Sequence, residues 1–429
     1  MNYAAAVEYL FGLQLFGVKL GLENMRRLTA ALGHPERSLR FIHIAGTNGK
    51  GSTAALLDAA LRAVGLRVGL YTSPHLCEVT ERVQIGGRPV SEEVFAGAVE
   101  RVRDEVERLR GDGVAVTFFE AMTGVALDLF RTHGVEMVVW ETGLGGRLDA
   151  TNVVEPVCSV ITRIDRDHER WLGSTLGTIA GEKAGILKPC RPAVAVRSGT
   201  EPDAVLAARA DELGVPLRWV EAAEPIGLIA APGWGQRCRV EGVEWLIGLV
   251  GTHQRENLAV ALAALEEMRK AGWDLPEPLV RDGMAKARWP GRFDRVRSEP
   301  PLILDGAHNP GAMRRLRETW REVYGNGPGR MIFGCLAEKA SPELVTAFDE
   351  PGREVWLVPV KSGRAASVEE VVPLWRKAVV RVMASSEEAW TRDRTNPHSE
   401  GTLVAGSLYL VGDLLRLLNG SRDEVQMNG

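Results

Sequence analysis

The chain has 429 residues, 45% hydrophobic and 25% charged, with 52 lysines and arginines against 56 aspartates and glutamates for a formal net charge of −4. That length calls for two domains, no apolar run can cross a bilayer, and the charge excludes bulk nucleic-acid binding while leaving room for a local basic pocket. Five scattered cysteines form no C-x-x-C pair and the N-terminus lacks a secretory layout, so buried thiols in a reducing cytoplasm are expected.

Residues 3–33 read as helical, with a break at 17–21. The apolar run Phe41–Ala45 then meets Gly46, Thr47, Asn48, Gly49, Lys50, Gly51, Ser52 and Thr53. A helix is predicted from Ser52, with Leu56, Leu57, Ala60, Leu61 and Val64 on one face and a stop at Gly65. Strand, glycine loop, lysine and helix start make a phosphate cradle: glycines admit an anion close to the backbone, the first N–H groups point at it, and the ammonium neutralises it. The loop departs from G-x-x-x-x-G-K-[ST], having Ile44 at the first glycine and Gly51 at the hydroxyl position. An ordinary glycine-rich turn stays open as the alternative.

A strand at 67–71 leads to the loop Thr72-Ser73-Pro74-His75, and helices follow at 91–110, capped by Ser91, and at 120–133. The strand 135–140 delivers Glu141 into a glycine-rich loop, and the strand 157–164 delivers Asp165, Asp167 and His168 into another. Such alternation predicts a parallel sheet covered by helices on both faces, with ligands beyond the carboxyl ends of its strands. Lys50, Glu141 and His168 are therefore expected on one rim. Residues 233–251 alternate as a hairpin around Glu241-Gly242, and a helix carrying Asn257 follows. A proline- and glycine-rich junction near 288–301 separates domains at 1–294 and 295–429. Alternation restarts beyond it, with strands at 302–304, 330–333, 354–358 and 403–405, while 380–401 reads as helix and surface loop.

Each chemical candidate has a plainer alternative. Glu141 can hold Mg²⁺, a hard cation that takes oxygen ligands, or be a capping or salt-bridged glutamate. His168 beside Asp165 and Asp167 can be a metal or phosphate ligand, or a packed histidine. Lys183 ends a short helix beginning near Ser174, where a cation interacting with the helix dipole is the simplest reading. Asp305, His308 and Asn309 follow a strand and face a second rim, unless Asx-turn chemistry explains them.

Taken in order, the blocks resemble folylpolyglutamate synthase/dihydrofolate synthase, a branch of the Mur ligase superfamily. The resemblance is carried by Leu20-Gly-Leu-Glu23, His43 to Thr53, Tyr71-Thr-Ser-Pro-His-Leu76, Thr117-Phe-Phe-Glu120, Glu141 to Asn152, Asp167-His168, Glu182-Lys-Ala-Gly-Ile186, His253-Gln254 with Asn257, Pro290-Gly-Arg-Phe293, Asp305 to Pro310 and Gly406-Ser-Leu-Tyr-Leu410. It implies an N-terminal P-loop ATPase-type sheet domain that binds ATP and a smaller, Rossmann-like C-terminal glutamate ligase domain. The implied reaction joins L-glutamate to a folate or dihydropteroate through an acyl phosphate, releasing ADP and phosphate, in a cytoplasmic monomer without nucleic-acid or membrane partners. Closure of the two domains over the site is expected to shield that acyl phosphate from water.

Residue by residue, the resemblance places ATP against the 46–53 loop, Asn257, Arg292, Asp305 and His308. It places Mg²⁺ on Ser73, Glu141 and His168, and the pterin-bearing substrate on Thr117, Phe119, Arg147, Asp149 and Ala150. Lys50, Glu141, His168 and Lys183 would carry the chemistry, Lys183 as the lysine often carbamylated in this superfamily. Three features depart from the pattern: Arg163 where a small or polar residue is usual, Asp165 where glycine is common, and Phe333 to Lys339, which lacks aspartates but keeps Lys339. Asp165 could bind metal or pair with Arg166. The competing readings are a peptidoglycan-precursor amino-acid ligase, against which Thr117 to Glu120 and Gly406 to Tyr409 stand, and an ATP-binding protein or kinase without ligase activity, which leaves Lys183, Asp305 and His308 without a role.

Overall fold

The computed structural model describes residues 1–16, 21–229 and 234–420; the expected break at 17–21 falls almost wholly outside them. Two helices, α1 (Tyr3–Gly12) and α2 (Glu23–Ala31), precede the strand β1 (Phe41–Ala45) and the helix α3 (Lys50–Ala63), which starts two residues earlier than predicted. Next come β2 (Val68–Tyr71), β3 (Val83–Ile85), β4 (Arg88–Pro89), α4 (Glu92–Gly111), α5 (Phe118–Thr132), β5 (Met137–Glu141) and β6 (Pro156–Ile161). The short α6 (Glu169–Leu172) and α7 (Leu176–Ala184) lead to β7 (Ala193–Val196), α8 (Thr200–Leu213) and β8 (Leu217–Val220). These strands form one sheet in the order β4-β3-β2-β5-β1-β6-β7-β8. All neighbours from β2 to β8 are parallel, and the β3–β4 hairpin closes one edge in the antiparallel sense.

Central parallel strands are covered on both faces, so they read as continuous apolar runs. Every residue of β1 and β5 is buried. The covering helices show a 3.6-residue period instead: α4 buries Phe95, Val99, Val102 and Val106. Ser91 caps α4 by accepting the Val94 N–H, with Glu92 and Glu93 in the first turn. Around Trp140 of β5 pack Phe41 (centroids 5.6 Å apart), Tyr71 (4.5 Å) and Phe130 (6.3 Å). Full burial of one such ring stabilises the fold by roughly 2–3 kcal/mol.

A three-stranded sheet in the order β11-β10-β9 follows, built from β9 (Glu224–Ile229), β10 (Gly235–Val240) and β11 (Val243–Ile247), with β10 and β11 forming the expected hairpin. The helices α9 (Gln254–Lys270) and α10 (Glu277–Lys286) come next. The last sheet has the order β12-β13-β17-β14-β15-β16. Its strands are β12 (Asp294–Arg297), β13 (Leu302–Leu304), β14 (Arg330–Phe333), β15 (Glu354–Leu357), β16 (Val379–Val382) and β17 (Thr402–Ala405). Only β12 runs antiparallel. Between them lie α11 (Pro310–Tyr324), α12 (Pro342–Val345), α13 (Val368–Val371) and α14 (Ser386–Thr395), and α15 (Leu408–Asn419) follows β17.

Three expectations need correction, the first being that of buried thiols, since Cys190 is exposed and Cys77 half-buried. The first sheet extends through β7 and β8, which were not anticipated, and residues 379–382 are a strand where helix and loop were expected. β16 pairs on one side only and leaves Val379 and Val382 more than half exposed, so it lacks the burial pattern of an interior strand. By compactness the chain forms two units, one of 1–225, 238–247 and 255–287, the other of 226–237, 248–254 and 288–429. Among the described residues no helix is long and apolar enough to cross a membrane.

Candidate active site

Strand order alone assembles the first rim. β1 lies between β5 and β6, with Ile44 beside Glu141 and Ala45 beside Ile161, and β2 flanks β5 with Tyr71 beside Trp140. The residues that leave these strands are Gly46, Glu141 at its strand's last position, Thr162 and Thr72-Ser73. Gly46 comes so close to Thr162 that a Cβ would lie 1.8 Å from its Oγ1, and its φ is +156°. Gly49, at φ +97°, precedes α3, and a Cβ there would sit 2.3 Å from Asn257 Oδ1. Glycine is required at both positions.

Two lysines converge on the Gly46 carbonyl. Lys50 Nζ donates to it at 3.1 Å and Lys183 Nζ, 137 residues away in sequence, at 3.0 Å. Lys50 Nζ also stands 4.0 Å from Glu141 Oε1, while Glu141 Oε2 accepts the Ser73 N–H at 3.3 Å. Glu141 is thus salt-bridged, and its partner is the loop lysine itself. Lys183 is buried, and burial first and the Lys50 charge second lower its pKa from 10.5 to about 7, against the pull of Asp167, Asp149 and Glu182. The Lys183 ammonium is anchored on a carbonyl of another element, a partner that the dipole reading did not name.

The loop after β6 wraps the phosphate loop. The Arg163 carbonyl accepts the Thr47 and Asn48 N–H groups at 2.8 and 3.2 Å, and Thr47 Oγ1 donates to the Asp165 carbonyl at 3.0 Å. Asp165 Oδ1 accepts the Arg166 N–H at 2.9 Å, so it pairs with Arg166 through the backbone. His168 shares this rim by strand order, yet its ring is 44% exposed, with Nε2 4.0 Å from Asp167, and its φ is +51°. Among the described residues no three His, Cys, Asp or Glu side chains form a metal cluster. A Mg²⁺ ion held by one or two carboxylates, waters and substrate phosphates needs no such cluster, and Glu141 beside Ser73 suits that sparse set. The cradle also suits a nucleotide: Thr53 Oγ1, in the first turn of α3, is buried without a hydrogen-bond partner.

The expected acceptor residues gather around the 142–151 loop. Thr117 caps α5 and accepts the Glu120 N–H, while Glu120 Oε2 returns to the Thr117 N–H at 2.8 Å, a reciprocal capping box. The Phe119 ring lies against Gly143, where a Cβ would be 2.5 Å from Cζ. Asp149 is buried and organises the loop, accepting the Leu144 N–H (2.7 Å), the Thr151 N–H (3.0 Å) and the Thr151 hydroxyl (2.5 Å). Burial raises its pKa, opposed by those donors. Arg147 forks Glu182 at 2.7 and 3.2 Å, and Ala150 is buried in the core. Asp149 therefore shapes the loop, Thr117 caps α5 and Ala150 is core, while Phe119 and Arg147 offer a ring face and a half-exposed cation.

In the second unit Arg292, Asp305 and His308 also meet. A Cβ at Gly306 would lie 2.2 Å from Arg292 Nη1, and His308 Nδ1 is 2.7 Å from the Gly306 carbonyl. Asp305 accepts the Phe293 and Ala307 N–H groups, both at 2.8 Å. Burial raises its pKa although Arg292 pulls it down. The Ala307 contact is an Asx turn, and Asn309 caps α11 ahead of Pro310, so turn chemistry accounts for part of this block. Sequence reasoning passed over a neighbouring group on the same sheet edge. Arg364 donates to the Tyr409 hydroxyl at 3.2 Å and stands 3.7 Å from Glu338, and an isolated bridge between Leu336 and Ala365 ties their loops together. The signal available was Tyr409 within the Gly406–Leu410 block, but nothing local linked it to Arg364.

Comparison with known proteins adds a family to this geometry. Residues 291–408 match the family model described as Mur ligase, glutamate ligase domain. The dihydrofolate synthase/folylpolyglutamate synthase of Bacillus subtilis is 34% identical over 97% of this chain and 99% of that protein. The folylpolyglutamate synthase of Lacticaseibacillus casei is 33% identical over 98% of this chain and 100% of its own. Among solved structures, folylpolyglutamate synthase of Mycobacterium tuberculosis complexed with ADP and AMPPCP superposes with a TM-score of 0.86 at 29% identity, covering 99% of this chain and 100% of that one. An Escherichia coli relative in complex with DHPP and ADP gives 0.83 at 31% identity, with 99% of both chains covered. A rim bearing two lysines and a glutamate, on a chain alike from end to end, makes this protein a member of the folylpolyglutamate synthase/dihydrofolate synthase family of Mur ligases, and an ATP-dependent amino-acid ligase.

Proposed function

We propose that the chain joins L-glutamate to a folate or dihydropteroate carboxylate, with ATP and Mg²⁺ seated on the first unit's rim. The observation that carries this reading is the convergence of Lys50 and Lys183 on the Gly46 carbonyl, with Glu141 4.0 Å from Lys50. A carboxylate is a poor acyl donor, so the γ-phosphoryl of ATP is first transferred to the acceptor's carboxyl oxygen. The glutamate amine then attacks the acyl carbon, phosphate leaves, and the amine gives up a proton. Phosphoryl transfer asks the protein for positioning and charge neutralisation. Lys50 and the N–H groups at the start of α3 supply both, with Asn257 packed on Gly49 beside them. Glu141, Ser73 and His168 would hold Mg²⁺, which would supply Lewis-acid stabilisation of the phosphate oxygens.

Lys183 has a chemistry of its own. With its pKa near 7, much of it is neutral at physiological pH. A neutral amine can add to CO₂ and release a proton, which yields a carbamate whose negative charge would face Lys50 attractively. Phe119 and Arg147 take the aromatic and anionic parts of the acceptor. Arg292, Asp305 and His308 are further nucleotide-binding candidates, and residues 295–429 act as the glutamate ligase domain. Arg364, steadied by Tyr409, is suited to a glutamate carboxylate. The chain acts as a monomer. ADP release measured with glutamate plus dihydropteroate, and separately plus a reduced folate, tests the reaction. Stimulation by either acceptor only when glutamate is present is the expected result, and ADP release indifferent to glutamate would overturn it.

A further inference from the structure

Arg163 is where the phosphate loop is tied to a part of the chain that follows it by some 90 residues. Its carbonyl holds Thr47 and Asn48 through their N–H groups, closing an antiparallel bridge between Asn48 and Arg163. Its guanidinium reaches the other way and forks Glu256 in the first turn of α9, Nε to Oε2 at 3.1 Å and Nη2 to Oε1. The two side chains are only 26% and 14% exposed, so water screens this pair less than an open surface pair. The next residue along α9 is Asn257, whose carboxamide packs on Gly49, where a Cβ would come within 2.3 Å. One residue thus holds the loop by its backbone and, by its side chain, the helix turn whose Asn257 packs on the loop.

We propose that the Arg163–Glu256 pair is a positioning clasp for the nucleotide, setting Asn257 and the 46–50 backbone at the spacing that grips a nucleoside polyphosphate. Neither side chain touches the nucleotide in this scheme. Both act through Asn257 and Gly49, and the inference rests on the nucleotide site proposed above. A fork of two charge-assisted bonds holds a planar group in one orientation, which a single contact does not. Losing it lets the first turn of α9 drift while the acceptor loop at 142–151 keeps its own hydrogen bonds through Asp149.

The test is the Kd for ADP by calorimetry, with the KM for ATP and for acceptor, in Arg163→Met, Glu256→Gln, the double variant and the reversed pair R163E/E256R. Each single change is expected to weaken ADP binding and raise the ATP KM by about tenfold, leaving the acceptor KM within about twofold. The double variant is expected to be no worse than the poorer single, since both remove one interaction, and the reversed pair to regain part of the affinity. Single variants that melt at lower temperature but bind ADP as the parent does would reduce the pair to a structural staple and overturn the proposal. So would additive losses in the double variant. Lys50→Ala run alongside separates the two readings: if it too binds ADP unchanged, the nucleotide site itself is wrong, and if it alone loses ADP, only the clasp fails.

Discussion

Replacing Lys183 by methionine should make the protein more stable below neutral pH while abolishing turnover. The side chain is 3% exposed, and its pKa falls from 10.5 to about 7, chiefly through burial. An unfolded chain keeps that proton up to about pH 10.5, whereas the folded chain releases it near pH 7. Across this window the unfolded state binds more protons, so stability climbs with pH at up to ~1.4 kcal/mol per pH unit. Summed over the window, the charged ammonium costs the fold on the order of 4 kcal/mol at pH 6.5, and nothing once pH passes 10.5. Methionine matches the length without the charge and forfeits the bond to the Gly46 carbonyl, worth ~1 kcal/mol. The net gain at pH 6.5 is about 3 kcal/mol, roughly 5 °C or more in Tm for a unit of this size. Thermal melts of both proteins at pH 6.5, 8 and 9.5 in CO₂-free buffer check it. The variant should lead at pH 6.5 and lose its lead by pH 9.5. Parallel curves, or a variant that melts first at pH 6.5, would refute the burial argument.

The same structure sets further outcomes. Lys50→Ala and Glu141→Ala should each lower kcat for ADP release at least ~10²-fold, the range for lost electrostatic stabilisers; near-normal rates in both would remove the rim from the reaction. Gly49→Val would set branched carbon against Asn257 Oδ1, 2.3 Å from the Cβ, at a φ of +97°. Calorimetry should then find ADP affinity down by ~10-fold or more, and an unchanged Kd would mean that Asn257 yields freely. Asp393→Ala should destabilise the second unit by ~3–5 kcal/mol. That carboxylate, wholly buried, holds Arg330 at 2.8 Å, Arg297 at 2.9 Å and the Thr402 hydroxyl at 2.5 Å. A loss under 1 kcal/mol in denaturant melts would show that water replaces it.

The phosphate loop was legible because its signals are local: an apolar strand, three glycines and a lysine within a dozen residues. The meeting of Lys50 with Glu141 could be foreseen as well, since strand alternation places both at carboxyl ends and the sheet order sets β1 beside β5. Lys183 shows the limit. Its local context is a helix end, and nothing nearby reveals that its ammonium crosses to Gly46. The Arg163–Glu256 pair spans 93 residues and has no periodic trace. β16 went unread because an edge strand that leaves valines exposed lacks the alternation by which strands are recognised. Asn309 was legible as a turn and cap residue, which the structure bears out through the Ala312 N–H, and the expected pairing of Asp165 with Arg166 runs through the Arg166 backbone N–H.

β1 is hydrogen-bonded along both edges, to β5 and β6, and every one of its side chains is buried. Amides there should be among the last in the chain to exchange with solvent, and the loop that β1 launches inherits that anchorage. His168 and Arg147 stand on half-exposed chain at a distance from it along the backbone. On the reading proposed above, a nucleotide on the phosphate loop would be held by the part of the chain least given to local opening.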